Sequence, residues 1–135
     1  VNIFAHSDDA KVWLAGGKVR KSDSAVIGES TADFIKQFKV DYAVIGVSAI
    51  DNDGLLMDFD QREVMVSKAI FECSRKLILV ADHIKFERTA PMVIGNITEI
   101  DILVTNNKPS PELIDICNSN NIEIVIAKEQ TSLEL

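Results

Sequence analysis

The stretch from Asp41 to Ile70 constrains the fold most, because its character changes twice along the chain. Residues 42–47 form a short, almost wholly apolar run, which is typical of a strand buried on both faces in a parallel sheet. The chain then turns polar from Ser48 to Asp60, and from Gln61 to Cys73 its apolar residues recur at helical spacing. Ligands of open α/β sheets bind beyond the carboxyl ends of strands. We therefore expect an α/β fold with a site in the loop at residues 48–60.

The rest of the chain repeats this alternation of apolar runs and helical patterns. Ser110 followed by Pro111 is a favourable N-cap and first position for a helix, and the Gly16-Gly17 pair allows a sharp turn or a close approach to a ligand. Strands are predicted at residues 11–15, 42–47, 76–80, 101–104 and 122–127, an extended piece at 91–94, and helices at 1–5 (a last turn), 29–39, 61–73 and 110–118. Alternation of this kind predicts a three-layer sandwich, with helices on both faces of a mainly parallel, Rossmann-like sheet.

Charge and size limit the classes of function. The chain has 135 residues, 47% of them hydrophobic, which suffices for one domain with a real core. Its 21 acidic and 14 basic residues give a net charge of -7. Nucleic-acid binding depends on cationic contacts to phosphates, so this chain by itself is not expected to bind DNA. A few local cations and backbone N–H groups can still hold one small anion.

The cysteines and the hydropathy pattern favour a cytoplasmic protein. Cys73 and Cys117 each lie on a helical apolar face and do not form a C-x-x-C pair, so we interpret both as buried free thiols in a reducing compartment. No apolar run approaches the roughly 18 residues that span a bilayer. The first residues, which include Asp8, Asp9 and Lys11, are unlike a signal peptide.

The motif that suggests a metal site lacks a ligand that such a site needs. Asp51-Asn52-Asp53-Gly54 resembles a calcium loop, in which oxygen ligands alternate before a glycine. Aligning Gly54 with that glycine puts Ala49 at the first ligand position, where it cannot coordinate, so a polar turn is the better interpretation. His6 and His83 have no partner at metal-ligand spacing. We predict no metal and no cofactor.

Charged residues gather after the second apolar run and around the start of the helix at 61–73. Asp82 and Lys85 follow the predicted strand at 76–80, where position alone leaves a site and a solvated loop equally open. Asp58 and Asp60 precede the helix, whose dipole explains an acidic residue there. Glu63 and Lys68 are five apart, so an ordinary i, i+4 surface pair is not available to them.

Five segments together resemble the C-terminal sensor domain of DeoR-type bacterial transcription regulators. They are AGGKVR (15–20), VIGESTADFIKQF (26–38), DYAVIGVSAIDNDGLLMDFDQREV (41–64), KAI (68–70) and LVADHIKF (79–86), in the family's order and spacing. The resemblance extends through about residue 127. It implies an effector-binding sensor at residues 1–128, N-terminally truncated, with a tail at 129–135 that is open to interpretation as partly vector-derived.

The resemblance also implies a function. The sensor fold is related to sugar-phosphate isomerases and deaminases, and it responds to a phosphorylated sugar or to glycerol 3-phosphate. Effector binding releases the repressor from DNA. DNA is held only by a winged-helix domain upstream of Val1, absent here, and family members associate as homo-oligomers.

Carried over residue by residue, the resemblance implies a ligand site and no catalytic residues. The family's Asp-x-Ser-Lys-Phe element reads Asp82-His83-Ile84-Lys85-Phe86 here, which loses one hydroxyl but keeps the carboxylate and the ammonium. The ligand-binding candidates are Lys85 as the effector cation, Asp82 beside it, Gly46 and Ser48 on the floor, Glu63 and Lys68 on one wall, and Arg20 with Gly17 from the double-glycine segment.

Two other interpretations of the chain's function stay open. One is a sugar-phosphate isomerase or deaminase of the related fold, in which Asp82, Glu63 and Lys68 would transfer protons. This chain lacks the dense acidic and glycine-rich motifs of those enzymes. The other is a module that serves only for oligomerisation.

Overall fold

The computed structural model describes residue 6 and residues 9–127 of the chain. The expected helical turn at residues 1–5 and the C-terminal tail at 129–135 lie outside the described residues. The elements are β1 (Lys18–Val19), β2 (Val26–Ile27), α1 (Glu29–Ile35), β3 (Val40–Ile45), β4 (Ala49–Ile50), β5 (Leu55–Asp58), α2 (Gln61–Cys73), β6 (Ser74–Val80), β7 (Met92–Asn96), β8 (Ile102–Thr105), α3 (Pro111–Ser119) and β9 (Glu123–Ile126), with short 3-10 turns at His83–Glu87 and Ile97–Glu99.

A four-stranded parallel sheet in the order β3-β6-β8-β9 forms the centre of the molecule. Its register pairs Ile45 with Leu79, and Leu79 with Leu103. Leu79 and Leu103 are fully buried. The prediction of an α/β fold with a parallel sheet is confirmed, and the predicted strands at 42–47, 76–80, 101–104 and 122–127 correspond to β3, β6, β8 and β9.

The two faces of this sheet differ in burial. One face packs on the core through Ala43, Ile45 and Leu77, but on the other Tyr42 is 61% and Val44 65% exposed. Right-handed crossovers that all step in the same direction leave their connecting segments on one face, and the order β3-β6-β8-β9 never reverses. Within residues 9–127 the sheet is therefore covered on one face, so the expectation that the strand at 42–47 is buried on both faces was wrong for the described residues. The third layer of the expected sandwich stays a prediction.

The polar stretch at residues 48–60 contains more structure than a loop. Ala49 and Ile50 are fully buried and pair with Met57 and Leu56, which makes β4 and β5 a hairpin. The turn at Asp51–Gly54 closes by a bond from Gly54 N to Asp51 O of 3.0 Å, with Gly54 at φ 82°, where glycine is favoured. This confirms a turn at residues 51–54, but the expectation that residues 48–60 form a loop throughout was wrong, because β4 and β5 lie within them.

β5 also pairs with β7, so β4, β5 and β7 form an antiparallel sheet beside the parallel one. The expected extended piece at 91–94 is β7. The small sheet contributes Ile50, Leu56 and Ile94 to the same core as the parallel sheet, and it brings the end of β5 next to the ends of β3 and β6. This arrangement builds one side of the site described below.

The expected strand at residues 11–15 is absent. A strand needs a hydrogen-bonding neighbour, and the described chain offers none there, so Trp13 is 75% and Leu14 64% exposed. The helix expected at 29–39 ends earlier, at Ile35, and Lys36 and Gln37 form a turn before β3. The helices predicted at 61–73 and 110–118 are confirmed as α2 and α3.

Both cysteines are buried and free, as expected. Burial raises the pKa of the Cys117 thiol, which disfavours the reactive thiolate. Among the residues that the structure describes, no group of three or more His, Cys, Asp or Glu side chains is arranged to hold a metal ion. None of the described helices has the length and hydropathy needed to cross a bilayer.

Candidate functional site

A cleft of about 520 Å³ opens at the carboxyl ends of the neighbouring parallel strands β3 and β6. Since Ile45 is in register with Leu79, the segments that leave these two strands emerge side by side. The end of β5 and the first turn of α2 close the cleft laterally. The lining residues are Gly46, Val47, Ser48, Asp58, Glu63, Val80, Ala81, Asp82 and Lys85.

The segment after β6 presents the cation of the cleft. Asp82 caps the 3-10 turn His83–Glu87, and its Oδ1 accepts a hydrogen bond of 3.0 Å from Ile84 N. The turn is tied to the end of β8 by a bond of 2.8 Å from His83 N to Asn106 Oδ1. Lys85 lies within this anchored turn, and no carboxylate of the described chain pairs with it. Its ammonium is therefore available to an anion.

Asp58 contributes a nearly buried carboxylate, with 3% of the residue exposed. Its Oδ1 accepts hydrogen bonds from the backbone N–H groups of Phe59, at 2.6 Å, and Asp60, at 3.4 Å. These bonds fix the orientation of the carboxylate at the end of β5. Sequence reasoning placed Asp58 near the start of the helix but not in the site, because β5 was not recognised as a strand that ends at the cleft.

Glu63, on the first turn of α2, is held by Arg20. The distance from Arg20 Nη1 to Glu63 Oε2 is 2.7 Å, and the same guanidinium bonds Asp23 and approaches Asp60 Oδ2 at 3.4 Å. These carboxylates raise the pKa of Arg20, chiefly through the hydrogen bond with Asp23. Arg20 therefore connects the β1–β2 hairpin to the wall of the cleft.

The electrostatics of this network lower two carboxyl pKa values. The hydrogen bond from Arg20, followed by that from the backbone N–H of Ala25, lowers the pKa of Asp23 to about 2. The pKa of Asp60 is lowered mainly by the side chain of Arg62, whose Nε lies 3.1 Å from Asp60 Oδ1. Asp60 also caps α2 by accepting from Arg62 N at 3.0 Å.

The cleft contains five of the eight predicted ligand-binding residues, and the other three lie outside its lining. The five are Gly46, Ser48, Glu63, Asp82 and Lys85. Arg20 reaches the cleft only through Glu63, and Lys68 is exposed on α2 without a partner among the described residues. At Gly17 a Cβ would lie 2.0 Å from Thr31 Oγ1, so this glycine approaches a buried neighbour in the protein. The ligand-binding roles of all eight stay predictions.

Comparison with known proteins places these features in a family. The family model described as the DeoR C-terminal sensor domain matches residues 1–107. The chain is 39% identical over 123 residues to the glycerol-3-phosphate regulon repressor of Escherichia coli K12, covering 91% of the chain and 49% of that protein. It is 42% identical over 108 residues to the protein of that name from Haemophilus influenzae, covering 80% of the chain and 42% of that protein.

A third relative, the HTH-type transcriptional repressor CsqR of Escherichia coli K12, is 37% identical over 128 residues, which cover 95% of the chain and 49% of that protein. The chain thus spans about half the length of the curated relatives it matches, or less. A family match over most of the chain, supported by relatives of this similarity, leads to one assignment. The chain belongs to the DeoR C-terminal sensor domain family.

Proposed function

We propose that this chain is the effector-sensing part of a DNA-binding transcriptional repressor, and that a small phosphorylated ligand, glycerol 3-phosphate or a sugar phosphate, binds in the cleft between β3 and β6. Residues 1–128 act as one effector-binding unit, related in fold to sugar-phosphate isomerases and deaminases. The observation that carries the proposal is the convergence of Lys85, Ser48 and Gly46 in one cleft of a DeoR-type sensor domain. The relatives are named as repressors, and two are named for the glycerol-3-phosphate regulon.

The chemistry of the cleft suits a phosphorylated metabolite. Its volume of about 520 Å³ lies within the range of roughly 300–1,000 Å³ typical of small-molecule sites. Lys85 supplies an unpaired ammonium, and the hydroxyl of Ser48 forms no hydrogen bond with the described residues. Charge-assisted hydrogen bonds to a phosphate are shorter and about twice as strong as neutral ones.

Effector binding regulates DNA affinity only if the ligand prefers one state of the repressor. An effector that binds both states equally does not shift the equilibrium between them. A tenfold shift needs about 1.4 kcal/mol of differential binding, which one charged hydrogen bond made in a single state supplies. In this proposal DNA is bound by a winged-helix domain outside this chain, the repressor works as a homo-oligomer in the cytoplasm, and the sensor performs no catalysis.

Calorimetric titration of the 135-residue chain tests the proposal. The probes are glycerol 3-phosphate, ribose 5-phosphate and glucosamine 6-phosphate. Thermal unfolding is a second readout, because a probe at 100 times its Kd raises the free energy of unfolding by about 2.7 kcal/mol. We expect at least one probe to bind, and Lys85→Gln to weaken its binding. The matched control is Lys36→Gln, which removes an exposed cation at the end of α1. Absence of binding by all three probes, or equal effects of the two variants, would contradict the proposal.

The enzyme alternative has its own assay. Glu63 is already engaged by Arg20 at 2.7 Å, which leaves it poorly placed to act as a free proton acceptor. Incubation of the chain with ribose 5-phosphate or glucosamine 6-phosphate is expected to give no product. Turnover that Glu63→Gln or Asp82→Asn abolishes would replace the sensor proposal with an enzyme.

A further inference from the structure

Asp58 combines burial with an unused hydrogen-bond acceptor. Only 3% of the residue is exposed, and both donors to its carboxylate, Phe59 N and Asp60 N, bond Oδ1. No donor of the described chain bonds Oδ2. Among the described residues, Thr105 Oγ1 is the side-chain polar atom that has neither contact with solvent nor a hydrogen-bond partner. Asp58 Oδ2 also lacks a partner but is not shut off from solvent in this way, so it keeps contact with open space. Asp58 lines the cleft, so the cleft is the open space expected beside Oδ2.

Asp58 Oδ2 needs a hydrogen-bond donor as its partner, and a phosphate group does not supply one. An ionised carboxylate only accepts hydrogen bonds, and a nearly buried one needs donors to offset its lost hydration. A phosphate group offers negative charge instead of donors, so Asp58 repels it. Hydroxyl groups of a ligand are donors, and they match Oδ2 without adding charge beside Glu63 and Asp82, the other two carboxylates of the lining.

The cation and the carboxylate therefore orient a ligand in one direction. A phosphorylated ligand would place its phosphate toward Lys85 and Ser48 and its hydroxyl-bearing end toward Asp58. A phosphate ester without hydroxyl groups would leave Asp58 Oδ2 desolvated and unpaired. Sites built to hydrogen-bond a hydroxyl reject analogues that lack it strongly, because the buried polar group is left without a partner.

We propose that Asp58 is a specificity-determining residue of the cleft, which accepts a hydrogen bond from a ligand hydroxyl and so selects phosphate esters of polyols and sugars over hydroxyl-free phosphate esters. This inference rests on the proposed function, since it needs a phosphorylated ligand in the cleft. Asp58 is not among the eight predicted ligand-binding residues.

Calorimetric titration of the 135-residue chain with matched probes tests this role. Glycerol 3-phosphate and ribose 5-phosphate carry hydroxyl groups, and n-propyl phosphate carries none. We expect the wild-type chain to bind the better hydroxylated probe about tenfold to a hundredfold more tightly than n-propyl phosphate, as for a hydrogen bond to a charged group. Equal affinity of the wild-type chain for all three probes would overturn the proposal without any variant.

Asp58→Asn is the informative substitution, because it keeps the volume and the Oδ1 acceptor but replaces Oδ2 with a donor. It is expected to reduce the preference for the hydroxylated probe by tenfold or more, while binding of n-propyl phosphate is kept or improved. Asp53→Asn removes the same charge from an exposed residue of the Asp51–Gly54 turn and serves as the control. Loss of affinity for all probes in equal proportion would assign Asp58 a structural role and overturn the proposal.

Failure of the two proposals is distinguishable. If the wild-type chain binds none of glycerol 3-phosphate, ribose 5-phosphate, glucosamine 6-phosphate and n-propyl phosphate, the phosphorylated-ligand proposal and the role of Asp58 fail together. If it binds them and Asp58→Asn leaves the preference unchanged, the ligand class stands and only the role of Asp58 fails.

Discussion

Gly46 and Gly17 were both predicted to approach the ligand, but their surroundings differ. A Cβ at Gly46 would meet only Val80 O, at an ordinary 3.8 Å. A Cβ at Gly17 would lie 2.0 Å from Thr31 Oγ1, which is buried and bonds Gly16 O at 3.1 Å. The protein itself thus requires glycine at position 17, whereas position 46 borders the open cleft.

This difference gives a paired prediction. Gly46→Ala should leave the free energy of unfolding nearly unchanged and weaken binding of the phosphorylated probe, because Gly46 lines the cleft. Gly17→Ala should lower the free energy of unfolding by about 1–3 kcal/mol, as for other overpacked sites. Urea denaturation and calorimetric titration of both variants measure the two effects. Destabilisation by Gly46→Ala as large as that by Gly17→Ala would contradict the assignment.

Acid titration should report the ion-pair network around Arg20. The pKa of Asp23 is about 2 in the folded chain against an ordinary 3.8. A carboxyl whose pKa is lowered on folding contributes stability that is present above its unfolded pKa and is lost as the pH falls through the folded value. The contribution of Asp23 should therefore disappear between about pH 3.8 and 2.

The substitution Arg20→Gln tests whether Arg20 is the group that lowers the pKa of Asp23. It should return the pKa of Asp23 toward 3.8 and flatten the fall in stability over that pH window. Carboxyl ¹³C chemical shifts against pH measure the first effect, and denaturation midpoints the second. Lys21→Gln, which alters the neighbouring exposed cation, is the control and should change neither. An unaltered Asp23 titration in Arg20→Gln would show that another group lowers the pKa.

At the scale of elements, α3 depends on a cap visible in the sequence. Ser110 Oγ accepts from Leu113 N at 3.3 Å, and Pro111 occupies the first turn. The helix carries Leu113 and Cys117 into the core, both fully buried. Ser110→Ala should lower the free energy of unfolding by about 0.5–2 kcal/mol, whereas Ser110→Asp keeps an acceptor and should lose less. Equal losses in the two variants, measured by urea denaturation, would contradict a capping role.

The elements predictable from sequence were those with a strong local signal. α2 was predicted with its observed bounds because its apolar residues recur at helical spacing, and β6 because its apolar run ends abruptly at charged residues. β4 and β5 were missed because each is short, and their hydrogen bonds depend on a neighbour that only the tertiary fold supplies. Residues 11–15 have the composition of a strand but no partner in the described chain.

The same contrast holds for the site. Asp82 and Lys85 could be proposed because they directly follow a recognisable strand, and ends of adjacent parallel strands meet at one edge. Asp58 could not be assigned to the site, because its position there depends on β5, which was not recognised as a strand. The pairing of Arg20 with Glu63 had no signal in the chain, because a hairpin and a helix far apart in sequence create it.

At the scale of the whole molecule, the parallel sheet has one face packed on the core and one exposed face. Leu79 represents the core face and is fully buried, whereas Val44 on the neighbouring strand is 65% exposed. All-parallel sheets are found almost only with both faces covered. The described residues leave Tyr42 and Val44 uncovered, so this sheet departs from the usual arrangement on one face.

Two substitutions measure how far each face is covered in solution. Leu79→Ala removes packed core atoms and should lower the free energy of unfolding by about 2–5 kcal/mol. Val44→Thr keeps the β-branched shape, and on an exposed face it should change that free energy by no more than about 0.5 kcal/mol. Urea denaturation of both variants at two protein concentrations makes the comparison. A loss above about 1 kcal/mol for Val44→Thr, together with midpoints that rise with protein concentration, would show that a second copy of the chain covers this face, because association stabilises the folded state by mass action.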